Sequence, residues 1–152
     1  MTDILVKNVR VIDGSQDRPS DAIDIRLSDG HVQEVGLSLS APDTATVIDA
    51  KNSFVMPGLI DAHVHVNAQN ANLKENAALP DAIATVGTMN LMQAMLARGF
   101  TTVRDLGGAS GPLRKAMEMA PVQLPRLNIC GKALPQTGGH TDQRGPFDDR
   151  PV

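Results

Sequence analysis

Pro57-Gly58-Leu59-Ile60-Asp61-Ala62-His63-Val64-His65 is the stretch on which the reading of this chain turns. Leu59 to Val66 is a continuous strand-forming run, and a Pro-Gly breaker leads into it. Side chains alternate across a strand, so Leu59, Asp61, His63 and His65 share one face. Ile60, Ala62, Val64 and Val66, all apolar, share the other. One face therefore suits packing against helices, while the other turns polar toward the C-terminal end. Two residues of rise set the histidine backbones ~6.6 Å apart. Two neutral imidazoles at that spacing can converge on one Zn2+ or similar divalent transition ion. Asp61, one step deeper on the same face, is placed to orient a ligand from behind. In the absence of a metal, the same histidines are polar tips of a strand end, and Asp61 caps a neighbouring loop.

Downstream comes a polar, Asn-rich stretch over residues 67–76. A helix then runs from Pro80-Asp81 to Ala97, with Leu91, Ala94 and Met95 in its apolar stripe and Gly99 as its stop. Phe100 to Arg104 reads as a strand, Pro112 to Met119 as a helix closed by Pro121, and Arg126 to Ala133 as a third strand. Strands separated by helices pair in parallel through right-handed crossovers. Upstream, short strands alternate with turn signals: Asp3 to Val11, Ala22 to Leu27, His31 to Val35, Thr46 to Asp49 and Phe54 to Met56. In the second of these, Ile23, Ile25 and Leu27 form the side expected to be buried, and Asp29-Gly30 is a hairpin signal. The fold class is α/β: a β-sandwich-like subdomain or small sheet over residues 1–56, then an α/β unit over 57–152.

Composition narrows the function classes. The chain has 152 residues, short of the ~250 of a closed (β/α)8 barrel. Only 2% are aromatic, which leaves no ladder of rings for single-stranded bases. Fourteen basic residues against 17 acidic ones give a net charge of −3 and no nucleic-acid footprint. No run reaches the ~18 apolar residues of a membrane span, and the opening residues lack the layout of a signal peptide. A single cysteine, Cys130, excludes an internal disulfide and fits a reducing compartment, so a cytoplasmic protein is expected. Cys130 itself reads as a buried, inert thiol within the third strand. Met89, Met92, Met95, Met117 and Met119 read as core filler. Arg104 and Asp105, at the end of the second strand, pair with each other, anchor a loop or touch substrate. Gly107-Gly108 lacks the Lys-Ser/Thr ending of a phosphate loop and reads as a turn needing close backbone approach. His31 is expected on the surface.

The run Pro57 to His65 resembles the signature of the amidohydrolase superfamily of metal-dependent hydrolases. Gly99-Phe100-Thr101-Thr102-Val103-Arg104-Asp105 resembles the second barrel strand of those enzymes. Val11-Ile12-Asp13-Gly14 and Val47-Ile48-Asp49-Ala50 resemble parts of the small β domain beside the barrel. Thr137-Gly138-Gly139-His140 is similar to the imidazolonepropionase-like and prolidase-like branch, some members of which cleave dipeptides. The resemblance covers essentially the whole chain. It implies a small β domain followed by the first strands and helices of an incomplete (β/α)8 barrel. It also implies that His63 and His65 hold the more buried of one or two Zn2+ or other divalent ions. His140 would contact substrate or a developing oxyanion, and Asp61 would belong to the catalytic site.

The implied reaction is hydrolysis of a small-molecule amide or dipeptide C–N bond by metal-activated water. In the family, a lysine or carboxylate, two more histidines and a late aspartate come from later strands. The chain is therefore expected to be an N-terminal portion, inactive alone and completed by the rest of the barrel or a complementing chain, in an enzyme that is a homo-oligomer. Two other readings stand beside it: a non-catalytic module that keeps a two-histidine metal site, and an open α/β interaction protein whose histidines are incidental.

Overall fold

The computed structural model describes residues 3–134, 136–139, 142, 144, 145, 147 and 148, leaving aside the side chains of residues 73 and 74. The chain divides between Pro57 and Gly58 into two compact units.

In the first unit, β1 (Asp3–Val11), β2 (Ile23–Ser28), β3 (His31–Gly36), β4 (Thr46–Asp49) and β5 (Phe54–Val55) form one sheet organised on β1. The order is β3-β2-β1-β4, with β5 joining β1 beyond β4 through Arg10 and Val11. β1 runs antiparallel to β2 and parallel to β4 and β5. Asp29 and Gly30 both take positive φ, 50° and 77°, as the two-residue hairpin turn between β2 and β3 requires.

The expected inward face of β2 is corrected here. Asp24, 5% exposed, is its buried residue, while Ile23, Ile25 and Leu27 are half-buried. The cause is a bulge in β1, where the register slips between Val6 and Val9 and Asn8 sits at φ 55°. A bulge takes a main-chain N–H off the ladder, and a polar group must replace the lost partner. Asp24 does so, accepting from the N–H of Asn8 at 3.1 Å and from that of Leu39 at 3.1 Å.

In the second unit, β6 (Leu59–Val64), β7 (Phe100–Asp105) and β8 (Arg126–Ile129) form a parallel sheet in that order. Between them lie α1 (Leu73–Ala78), α2 (Asp81–Ala97) and α3 (Gly111–Glu118). The sequence pattern placed α2 and α3, but α1 was not expected; it begins within the Asn-rich stretch and runs just past it. Its signal is local: the Asn72 side chain accepts from the Glu75 N–H at 3.3 Å and donates to the Glu75 carboxylate at 2.8 Å. α3 begins at Ser110, whose Oγ accepts from the N–H of Leu113 at 3.2 Å. α2 ends at Arg98, and Gly99 follows at φ 94°, where a side chain would be strained.

Val66, Met92, Met95, Val103, Ala109, Leu113, Met117 and Leu127 form the core between sheet and helices. The stripe of α2 is Thr88, Met92 and Met95, at i, i+4 and i+7. Leu91 and Ala94, expected in that stripe, are half-buried at its margin. Met119, expected in the core, is 72% exposed because it follows the last turn of α3. A methyl at Gly58 would overlap the Thr101 side chain, whose Cβ would lie 2.7 Å away, so glycine lets β7 pass close to the start of β6.

Two positions on α2 test this packing. Met92→Ala should cost about 2–5 kcal/mol of stability through the cavity it leaves. Val86→Ala, on the exposed side, should stay within about 0.5 kcal/mol. Urea unfolding of the chain reads both, and equal losses would contradict the stripe.

Candidate metal centre

The polar end of β6 is shaped by a second bulge. Asp61 pairs with Val103 and Val64 with Asp105, so three steps on β6 face two on β7. The strand ends at Val64, two residues before the expected Val66. Bulges re-aim side chains, and this one falls on Ala62 and His63. Side chains at hand satisfy its main chain: Asp61 Oδ1 accepts from the His63 N–H at 3.0 Å, and Arg104 Nε donates to the Ala62 carbonyl at 2.9 Å. Asp61 thus engages the backbone of a histidine, and Arg104 does not pair with Asp105.

His63 and His65 are exposed, with ring centroids 5.5 Å apart and planes at 79°. His65 Nδ1 lies 3.0 Å from the Gly107 carbonyl oxygen. A carbonyl can only accept, so Nδ1 carries the proton and Nε2 keeps a free lone pair. With metal–nitrogen bonds of about 2.0–2.1 Å, two imidazoles on one tetrahedral ion hold their centroids roughly 5 Å apart. The donor set and its spacing fit a divalent transition metal. Among the described residues, no group of three or more His, Cys, Asp or Glu gathers to hold an ion. His140 lies outside the described residues. Gly138 and Asp142, which flank it in sequence, are joined: Asp142 Oδ2 accepts from the Gly138 N–H at 2.9 Å. Arg144 grips both oxygens of the same carboxylate at 2.8 Å.

Asp105, buried at the end of β7, is the residue that sequence reasoning left open among three roles, and the structure makes it the loop anchor. Its Oδ2 accepts from the N–H of Val66 at 2.8 Å, and its Oδ1 from those of Gly107 at 2.9 Å and Ala109 at 3.1 Å. The signal was the dipeptide Gly107-Gly108 just beyond a short acidic side chain, a loop rich in main-chain donors. The close approach expected at these glycines is not found, and Gly108 alone of the two needs conformational freedom. A methyl at Gly107 would make ordinary 3.9 Å contacts, whereas Gly108 sits at φ 113°. Cys130 corrects its sequence reading: it is exposed, one residue past β8, and its N–H and thiol both donate to the Asp105 carbonyl, at 3.2 and 2.9 Å. His31 is exposed as expected. A shallow cavity of about 350 Å³ beside α3 and β8, lined by Arg114, Met117, Leu124 and Leu127, contains neither histidine of the pair.

Residues 54–145 match the Amidohydrolase family, and the chain belongs to it. A dihydroorotase from Citrifermentans bemidjiense is 38% identical over 107 residues, 70% of this chain and 22% of that protein. The solved structure of an amidohydrolase superposes with a TM-score of 0.88 at 43% identity, covering 99% of this chain and 37% of that one. A prolidase complexed with N-methylphosphonate-L-proline superposes at 0.86 and 39% identity, covering 97% and 36%. The chain thus spans about a fifth of the dihydroorotase and about a third of the solved chains. These neighbours are barrel proteins, and the parallel sheet of the second unit is an incomplete barrel of the same kind. The family is one of hydrolases that act on C–N bonds and are generally metal-dependent.

The Asp142 tie predicts a pH response. Hydrogen bonds from Arg144, then the Gly138 N–H, hold the Asp142 carboxyl well below its usual range. A depressed folded value means the tie is fully present above the unfolded value of about 3.9 and is lost only as pH falls through the lower folded value. In an NMR titration, the Gly138 amide shift should move with a midpoint well below 3.9; a midpoint at or above it would break the assignment.

Proposed function

We propose that this chain supplies the first two metal ligands, His63 and His65, of a metal-dependent amidohydrolase that cleaves the C–N bond of a small amide, with a proline-containing dipeptide as the favoured substrate class. The observation carrying the reading is the imidazole pair at the bulged strand end, with His65 Nδ1 donating to the Gly107 carbonyl so that Nε2 keeps its lone pair, in a chain of the Amidohydrolase family. Zn2+, when bound there, would polarise the scissile carbonyl and lower the pKa of a water to about 7. The chain's own residues hold the pair in place. Asp61 and Arg104 fix the backbone of the bulge, and Gly107 fixes the His65 tautomer. His140, in Thr137-Gly138-Gly139-His140, is assigned to substrate on its sequence.

The dipeptide preference is supported by the likeness to the prolidase structure, which extends over 97% of this chain at 39% identity. A catalytic zinc site takes three protein ligands and an open position. The chain alone therefore binds metal weakly and does not turn over; the rest of a barrel, in the same polypeptide or a complementing one, supplies what is missing. The non-catalytic metal-binding module remains the second reading, favoured by the two-histidine site.

Zn2+ titration of the chain against a competing chelator should show one site, weakened at least tenfold by His63→Asn or His65→Asn. Zn2+ binding unchanged by both substitutions would remove the centre. Xaa-Pro dipeptides and dihydroorotate, assayed with the chain joined to the missing strands, decide the substrate class. Preference for dihydroorotate would overturn the dipeptide reading, no turnover of either would favour the non-catalytic module, and brisk hydrolysis by the chain alone would overturn its dependence on further strands.

A further inference from the structure

We propose that Asp105 is a positioning residue for the metal pair: by tying the loops after β6 and β7 to one carboxylate, it sets the tautomer of His65 and aims its Nε2. The inference rests on reading His65 as a ligand and adds the residue that prepares it.

Asp105 is 0% exposed, and among the described residues no cation pairs with it. A buried carboxylate in that position must be held by hydrogen bonds, and bonds from N–H groups to an ionised oxygen are the stronger kind. Its three donors are not scattered. Val66 directly follows His65, and Gly107 is the residue whose carbonyl receives the His65 Nδ1 proton. Both ends of the His65–Gly107 hydrogen bond are therefore pinned to one side chain, closing a ring: carboxylate to Val66, along the chain to the His65 imidazole, across to Gly107 and back. The third donor, Ala109, stiffens the Gly107 turn. Leu106 N–H also donates to the Val64 carbonyl at 3.1 Å, so the chain between His63 and His65 is held directly as well. If the ring opens, the Gly107 carbonyl leaves Nδ1, and the neutral imidazole is free to put its proton on Nε2, which cannot then ligate.

Asparagine tests this at constant size. Whichever way the amide turns, its NH2 meets a main-chain N–H, donor against donor. The metal-free, 152-residue chain at about pH 8, where an ordinary imidazole is neutral, is read by long-range 1H–15N NMR, which separates protonated from bare ring nitrogens. Wild type should show His65 with its proton on Nδ1. Asp105→Asn should shift it measurably toward Nε2 and weaken Zn2+ binding by about 10–100-fold. Met92→Ala, which destabilises the same unit through a cavity, should move neither signal.

A wild-type His65 protonated mainly on Nε2 overturns the proposal without any variant. So does an Asp105→Asn tautomer equal to wild type, even where Zn2+ still binds; in that case the metal reading stands. If Zn2+ fails to bind wild type while the tautomer still follows Asp105, the positioning role is supported and the metal reading falls.

Discussion

Main-chain N–H groups from two loops converge on the Asp105 carboxylate, and the geometry of the polar strand end depends on that convergence. The loops after β6 and β7 each place one small apolar side chain, Val66 and Ala109, in the core, and much of the rest is glycine or polar. Asn67, Gly107 and Gly108 offer backbone groups and short polar side chains. Three hydrogen bonds to one buried charge give them a common centre, and further bonds build outward from it. The Asn67 amide donates to the Gly108 carbonyl at 3.0 Å, and the buried Thr88 hydroxyl reaches Asn67 Oδ1 at 3.0 Å. The polar end is thereby fastened to the same face of α2 that carries Met92 and Met95. Packing and site geometry meet in one helix stripe.

The first unit uses the same device. Asp24 is buried and meets the N–H that the Asn8 bulge removes from its ladder, as Asp105 meets those of its glycine loop. In both places a carboxylate stands where alternation alone would put an apolar residue or a solvated one. A charge is costly to bury alone, but it costs less when it completes several otherwise unmet main-chain donors.

Much of the architecture was legible in the residues. The strand–helix alternation after Pro57 and the span of α2, bounded by Pro80 and Gly99, follow from chain breakers and strand-forming runs, which are local properties. Asp-Gly at residues 29–30 marked its hairpin for the same reason. The bulges at Asn8 and at Ala62–His63 were not legible, because a one-residue insertion into a ladder leaves the apolar pattern unchanged. Asp24, read as outward-facing, was misjudged for that reason. Cys130 was misplaced because the end of β8 depends on what Asp105 accepts across the sheet, a non-local fact. At the site, the spacing of His63 and His65 singled out the pair. The partners of Asp61 and Asp105 required knowing which strand ends lie side by side.

β6 occupies one margin of its three-stranded sheet. β6 carries His63 and leads directly into His65, and its outer backbone is unpaired among the described residues. Neighbouring strands sit about 4.8 Å apart. Any segment that hydrogen-bonds along that margin is carried, by the main chain alone, to within a side chain's length of the two rings. On this sheet, extending the ladder at β6 and bringing further side chains up to the two rings are one event.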